Sequence, residues 1–195
     1  MITRLFTILV LIEFFHHTQL DNWNLVRDEN GITVYTRKIP DSEYYAFKAE
    51  MTVSATDSAI FEILWDISQY PEWFAYTASA ESIEQSLDEQ IFSMETDYPW
   101  PYSNECMNYQ MNVEHKQNGS KKISITESNK PVECKKSLNK SNGHIILQPH
   151  GERTKIIYSF HSEPNQKIPP WLINPRIHEM PFKTLNALKE KLRGE

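Results

Sequence analysis

The sequence predicts an α+β fold in which a curved antiparallel β-sheet wraps around a long C-terminal α-helix. Three observations predict it. Runs of alternating apolar and polar residues recur through the chain, the mark of strands with one buried face. A strongly apolar helical stretch then closes it, from Ile168 to Leu192, with Trp171, Leu172, Ile173, Ile177, Met180, Phe182, Leu185 and Leu188 along its stripe. A helix that apolar must lie on a sheet. Finally, the inward strand positions are bulky and rich in methionine, and such a sheet around one helix can leave an internal apolar cavity.

The elements follow in order. Asp21 to Glu29 is expected to open with a short helix anchored by Trp23 and by Leu25 or Val26, and Glu29-Asn30-Gly31 is a turn. Ile32 to Arg37 is β-rich and alternating, so it reads as a strand. In the next strand Tyr45, Phe47, Ala49, Met51 and Val53 point one way, and Ala46, Lys48, Glu50, Thr52 and Ser54 the other. Thr56 is the expected N-cap of a helix with Ile60, Phe61, Leu64 and Ile67 on its face. A short helix or turn follows to Phe74, broken at Tyr70-Pro71. From Ser82 the period returns to two: Phe92, Met94, Thr96 and Tyr98 on one run, Met107, Tyr109, Met111 and Val113 on the next. Asn118-Gly119 is a strong hairpin turn, with the chain returning over Lys122 to Thr126. A last hairpin sets Ile145 and Leu147 against Ile156, Tyr158 and Phe160, and Pro164 ends the sheet. The final helix starts near Pro170, where proline is tolerated, and Pro175 or Pro181 should kink it.

Composition narrows the function. With 195 residues, 39% of them hydrophobic, the chain can build one domain around a real core. A formal net charge of -6 argues against a nucleic-acid partner and against attraction of the whole molecule to anionic lipid, so membrane contact must be local and apolar. Arg4 ahead of the run Leu5 to Ile12 resembles a secretory signal peptide over residues 1–20, and the folded domain is expected over 21–195. No small-residue cleavage site precedes Trp23, so an uncleaved anchor is the other reading. Export, to the periplasm or out of the cell, follows from the first. The two cysteines, Cys106 and Cys134, are either a disulfide or two free thiols; the Asn118-Gly119 hairpin would bring them within a few residues of each other.

Together these residues resemble a known family, the StAR-related lipid-transfer (START) domain of the helix-grip (SRPBCC) superfamily. The matching pieces are Gly31-Ile32-Thr33-Val34-Tyr35-Thr36-Arg37, Asp66 with Tyr70-Pro71-Glu72-Trp73, and Asp97-Tyr98-Pro99-Trp100-Pro101-Tyr102-Ser103, followed by the last hairpin and the Ile168 to Leu192 helix. Their order and spacing are most similar to bacterial exported members. One segment departs: where bacterial members often carry an Asp-Arg-Asp-like cluster, this chain reads Asn104-Glu105-Cys106. A buried acid–base pair for a polar headgroup is therefore not reproduced there, and Arg37, Arg153 or Glu105 would have to substitute.

The resemblance implies non-enzymatic binding, and transfer between membranes, of a lipid or other hydrophobic small molecule. The expected cavity lining is Phe47, Met51, Phe92, Met94, Met107, Tyr109, Met111, Tyr158, Phe160, Trp171, Ile177 and Met180, with Arg37 and Glu105 as candidate polar contacts. Trp100 and Trp171, each beside prolines, are read as apolar residues near an opening, or else as ordinary element ends. No catalytic residues, cofactor or metal site are expected: there is no nucleophile elbow or phosphate loop, and the histidines lack metal spacing, with His115, His161 and His178 read as surface positions. A monomer with transient membrane contact is expected. The alternatives are a cyclase-like enzyme of the same superfamily, with Glu105, Tyr109 or Tyr158 as the polar candidates, and an interaction module whose inward residues fill a solid core.

Overall fold

The computed structural model describes residues 22–130, 138 and 140–194. The expected leader and Cys134 lie outside them. Three strands come first: β1 (Asn24–Glu29), β2 (Ile32–Lys38) and β3 (Tyr45–Val53). Helix α1 (Asp57–Trp65), a 3-10 turn (Ile67–Gln69) and the one-turn α2 (Tyr70–Trp73) cross to the second group of strands. These are β4 (Thr77–Gln85), β5 (Glu89–Thr96), β6 (Glu105–His115), β7 (Lys121–Glu127), β8 (Lys140–His150) and β9 (Arg153–Glu163). The short α3 (Pro170–Ile173), a 3-10 turn (Asn174–Arg176) and the long α4 (Glu179–Arg193) end the fold. The nine strands form a single sheet in the order β1-β2-β3-β9-β8-β7-β6-β5-β4. Every neighbouring pair is antiparallel. The fold is α+β, a large curved antiparallel sheet with a long C-terminal helix, as the sequence predicts.

The core is the inward half of each alternating run. On β3, Phe47, Ala49, Met51 and Val53 are buried; on β9, Ile156, Tyr158 and Phe160; on β8, Ile145 and Leu147. The register brings these sets together, Ala49 opposite Tyr158 and Ile145 opposite Tyr158 from the other side. Thr56 caps α1 as expected, its Oγ1 accepting from Ala59 N at 3.2 Å. Helix α4 buries Pro181, Phe182, Thr184, Leu185 and Leu188, one stripe at helical spacing, against β2 and β3. It ends on Gly194, whose left-handed φ of 78° lets its N–H reach the carbonyls of Glu190 and Lys191. Side contacts fix this seat: the Arg27 guanidinium lies 3.3 Å from the Phe182 ring centroid, and Lys189 Nζ donates to Asn30 O at 2.8 Å.

Four expectations are corrected. Residues 24–29 are a strand, not a helix. The cause is the next two residues: Glu29 pairs with Ile32, so Asn30 and Gly31 alone make the turn, both at positive φ (54° and 73°). That is the two-residue hairpin geometry that asparagine and glycine favour, and it requires a strand on each side. Second, the interruption expected at Pro175 or Pro181 falls at Pro175, and it is a full break rather than a kink in one helix from Pro170. Pro175 has no N–H and its ring obstructs the preceding turn, so the helix breaks over Asn174–Arg176. The Asn174 side chain pins the break to β3, accepting from Tyr45 N at 3.0 Å and donating to Glu43 O at 2.8 Å. Pro181 falls in the first turn of α4, where a missing N–H is harmless. Third, because of that break Trp171 does not join the buried stripe and is 74% exposed. Fourth, His161 is buried rather than on the surface, 3.4 Å from Glu163 Oε1. Cys106 is disulfide-bonded.

Gly143 of β8 sits opposite Phe160, and a Cβ there would fall 2.3 Å from both Phe160 Cδ2 and the Ser159 carbonyl oxygen. Gly143→Ala should therefore destabilise the fold by about 1–3 kcal/mol, the usual cost of overpacking. Urea denaturation measures it; an unchanged midpoint would contradict the close approach of these strands.

Candidate functional site

The helix seat leaves part of the sheet uncovered from within. Between α3, the start of α4 and the concave face lies a pocket of about 400 Å³. Its strand residues come from β5 to β9: Phe92 and Met94, Tyr109 and Met111, Ile125, Ile145, Tyr158 and Phe160. Among the described residues none comes from β1, β2 or β3, the strands under α4 or beyond it. Leu172, Ile173, Ile177 and Met180 roof it; Tyr70 and Phe74 of the α2 turn form a side wall, with rings stacked at 4.8 Å. Asp97, Tyr98, Pro99 and Tyr102, from the loop between β5 and β6, join the lining with Tyr76, Arg176 and Glu179.

The lining expected from the sequence divides on this geometry. Phe92, Met94, Tyr109, Met111, Tyr158, Phe160, Ile177 and Met180 face the pocket. Phe47 stands one layer back, its ring 4.9 Å from that of Tyr158. Met51 is packed in the core on β3, one of the strands on which α4 rests. Met107 is buried in the same core without reaching the space, and Trp171 points to solvent. Arg37 is on the outward-facing set of β2, its guanidinium 4.5 Å from the Trp23 ring centroid. Glu105 is buried, but its carboxylate accepts from Asn165 N at 3.0 Å and Gln166 N at 2.8 Å, so it holds a chain segment rather than facing the pocket. Ile125 and Ile145 were within reach of the sequence, since hairpin register sets Ile125 opposite Met111 and Ile145 opposite Tyr158. Tyr70, Phe74 and Tyr76 carried no such signal, because one turn of helix shows no period.

The polar groups of the interior are mainly phenols, and two of them have hydrogen-bond partners among the described residues. Tyr70 Oη donates to Leu64 O at 2.7 Å, and Tyr109 Oη lies 3.3 Å from Ser141 Oγ. Burial pushes the pKa of Tyr70 and Tyr158 well above the ordinary value, and that of Tyr109 up to about 12. Tyr98 is also raised, by burial first and then by the Glu105 charge. Charge is confined to the rim. There Glu179 accepts from Tyr76 Oη at 3.0 Å, and Lys183 Nζ donates to the same hydroxyl at 2.7 Å, which with Glu179 holds the Lys183 pKa up.

Two loops beside the rim are clamped together. Ser103 N donates to Gln166 Oε1 at 3.0 Å, Gln166 Nε2 donates back to Ser103 O, and the Glu105 carboxylate holds the amides of Asn165 and Gln166. An exposed tryptophan stands near each side of the clamp, Trp100 on the first loop at 92% and Trp171 in α3, just past the second, at 74%. Among the described residues no cluster of three His, Cys, Asp or Glu side chains could hold a metal ion.

The START domain family model matches residues 17–193. The chain belongs to the START domain family. A STAR-related lipid transfer protein from Xanthomonas axonopodis superposes with a TM-score of 0.83 at 28% identity, covering 89% of this chain and 99% of that one. An uncharacterized Pseudomonas aeruginosa protein is 25% identical over 173 residues, 87% of this chain and 86% of its own. Human StAR-related lipid transfer protein 5 gives a TM-score of 0.74 at 16% identity, covering 90% of this chain and 89% of its own. The Zhui aromatase/cyclase from Streptomyces sp. R1128 gives 0.53 at 16%, covering 75% and 92%. These last two share the fold alone with this START domain.

The phenols make a pH prediction. A buried tyrosine whose folded pKa is raised stabilises the fold fully below pH 10.0, and that contribution is lost as pH climbs through the folded value, about 12 for Tyr109. For Tyr109 the amount at stake is about 2–3 kcal/mol. Tyr109→Phe should lose less stability than the unaltered protein between those two pH values in urea titrations. Equal losses would contradict the burial of this phenol.

Proposed function

We propose that this START domain binds a lipid or other hydrophobic small molecule in the apolar pocket without transforming it, and exchanges it at a membrane surface. The observation that carries the reading is a largely apolar space inside a fold whose family match spans nearly the whole chain. Family membership and the lipid-transfer neighbours support hydrophobic-ligand binding at the level of the family. The lining suits an irregular apolar guest, since Met94, Met111 and Met180 are flexible and polarizable.

Energetics favour exchange over capture. Each buried methylene gains ~0.8 kcal/mol relative to water. A lipid in a bilayer already has that gain, so the protein replaces one apolar environment with another. What it must lower is the barrier to crossing water. Trp100 and Trp171, both exposed and each within a few residues of the Ser103–Gln166 clamp, are suited to the membrane interface, where an indole meets both hydrocarbon and water. A catalytic reading would need a proton acceptor deep in the pocket, and burial holds the phenols there in the protonated form.

Native mass spectrometry of the purified protein, before and after solvent extraction, should find a hydrophobic small molecule that reloads from vesicles. Repeated absence of both bound molecule and reloading would sink the reading. Met111→Arg places a charge on the pocket wall and should abolish loading in a protein that circular dichroism shows folded; unchanged loading would place the guest elsewhere. Replacing Trp100 and Trp171 together by serine should slow transfer between vesicles at least several-fold and leave loading from detergent intact. Unchanged transfer would separate the tryptophans from membrane contact.

A further inference from the structure

A second hollow, of about 470 Å³, lies between α1 with its following turn and the strands β4 and β5. It shares no lining residue with the apolar pocket. Phe61, Glu62, Trp65 and Asp66 line it on the helical side, and Ser82 and Gln90 on the sheet.

The first observation is an unsatisfied acceptor. Gln90 is 1% exposed and points to the concave side with its cross-strand partner Met111. Its Nε2 donates to Ser82 Oγ at 3.3 Å, but Oε1 has no hydrogen-bond partner among the described residues. Buried polar atoms are rarely left so, and this one lies in the wall of a hollow. The second observation is charge. Glu62 and Asp66 bring two carboxylates to the lining, and among the described residues no Lys or Arg lines it. Asp66 Oδ1 accepts from Ser68 Oγ at 2.5 Å, which leaves the second carboxylate oxygen for another donor. The third is a flat apolar surface: Phe61 and Trp65 stack with centroids 4.9 Å apart and planes at 25°. With Nε2 held on Ser82 Oγ, the carbonyl oxygen is the end of Gln90 left without a partner in the wall of the hollow.

We propose that this hollow binds a small organic cation with N–H donors, an ammonium, amidinium or guanidinium on a short apolar stem. The charge sits between Glu62 and Asp66, an N–H is donated to Gln90 Oε1, and the stem lies along Phe61 and Trp65. A volume of this size takes a molecule of about the bulk of a substituted benzene with room for ordered water.

Titration of the isotopically labelled full chain with benzamidine, followed by NMR, tests it. Saturable shifts are expected at the Gln90 side-chain amide and the Trp65 indole N–H. Neutral benzamide, of the same shape, should bind at least tenfold more weakly, and Glu62→Gln should weaken benzamidine several-fold. Glu62 is exposed, so this variant is expected to fold; Gln90→Leu should remove binding and serves as a second variant. Equal binding of benzamide, no saturable shift at Gln90, or unchanged affinity in Glu62→Gln would each overturn the proposal. Lipid loading of Glu62→Gln, read in parallel, should be unchanged, so the two sites succeed or fail separately.

Discussion

The seat of α4 on β2 and β3 is the contact on which the rest depends. The helix uses its whole apolar stripe at one end of the sheet, with Phe182, Leu185 and Leu188 buried there. It has no second face for the strands beyond. Only its first residues, Glu179 and Met180, reach over toward β5 to β9, and the interrupted segment before it supplies the remaining roof. One helix therefore covers one end of a nine-stranded sheet, and the concave face of β5 to β9 is left looking into space. Large side chains narrow that space without closing it. Moving α4 toward the middle of the sheet would fill it and expose β2.

Polar groups follow the same division. Two hydroxyls deep in the pocket are engaged by neighbouring oxygens, Tyr70 on Leu64 and Tyr109 on Ser141, so these add no unmet demand to an apolar guest. Charged groups stand at the rim, where water or a headgroup can meet Arg176, Asp97 and Glu179. The buried carboxylate of Glu105 has a different task, fixing the chain at Asn165 and Gln166 beside the start of β6.

Legibility in the sequence tracked position in the sheet. Strands β2, β3, β5, β6, β8 and β9 lie between neighbours and bury one face, so their period of two is visible in the residues. The two missed strands are the two edges. β1, Asn-Leu-Val-Arg-Asp-Glu, is charged and exposed, and β4 is exposed over most of its length, as edges that resist further pairing tend to be. Neither has a buried face to write a pattern. The site shows a similar limit. Alternation identifies which side chains point inward, so Tyr109, Met111 and Tyr158 could be named, but it does not say which inward positions the helix will cover. Phe47 and Met51 carry the same signal and lie beneath or behind that cover. The side wall at Tyr70 and Phe74 comes from one turn of helix, and a single turn leaves no period to read.

A crystal structure of the protein purified without extraction tests the central claim most directly. The account predicts continuous density from a bound molecule in the space bounded by Met111, Ile125, Ile145, Tyr158 and Met180. Side chains repacked to fill that space, with α4 drawn across β8 and β9, would contradict it.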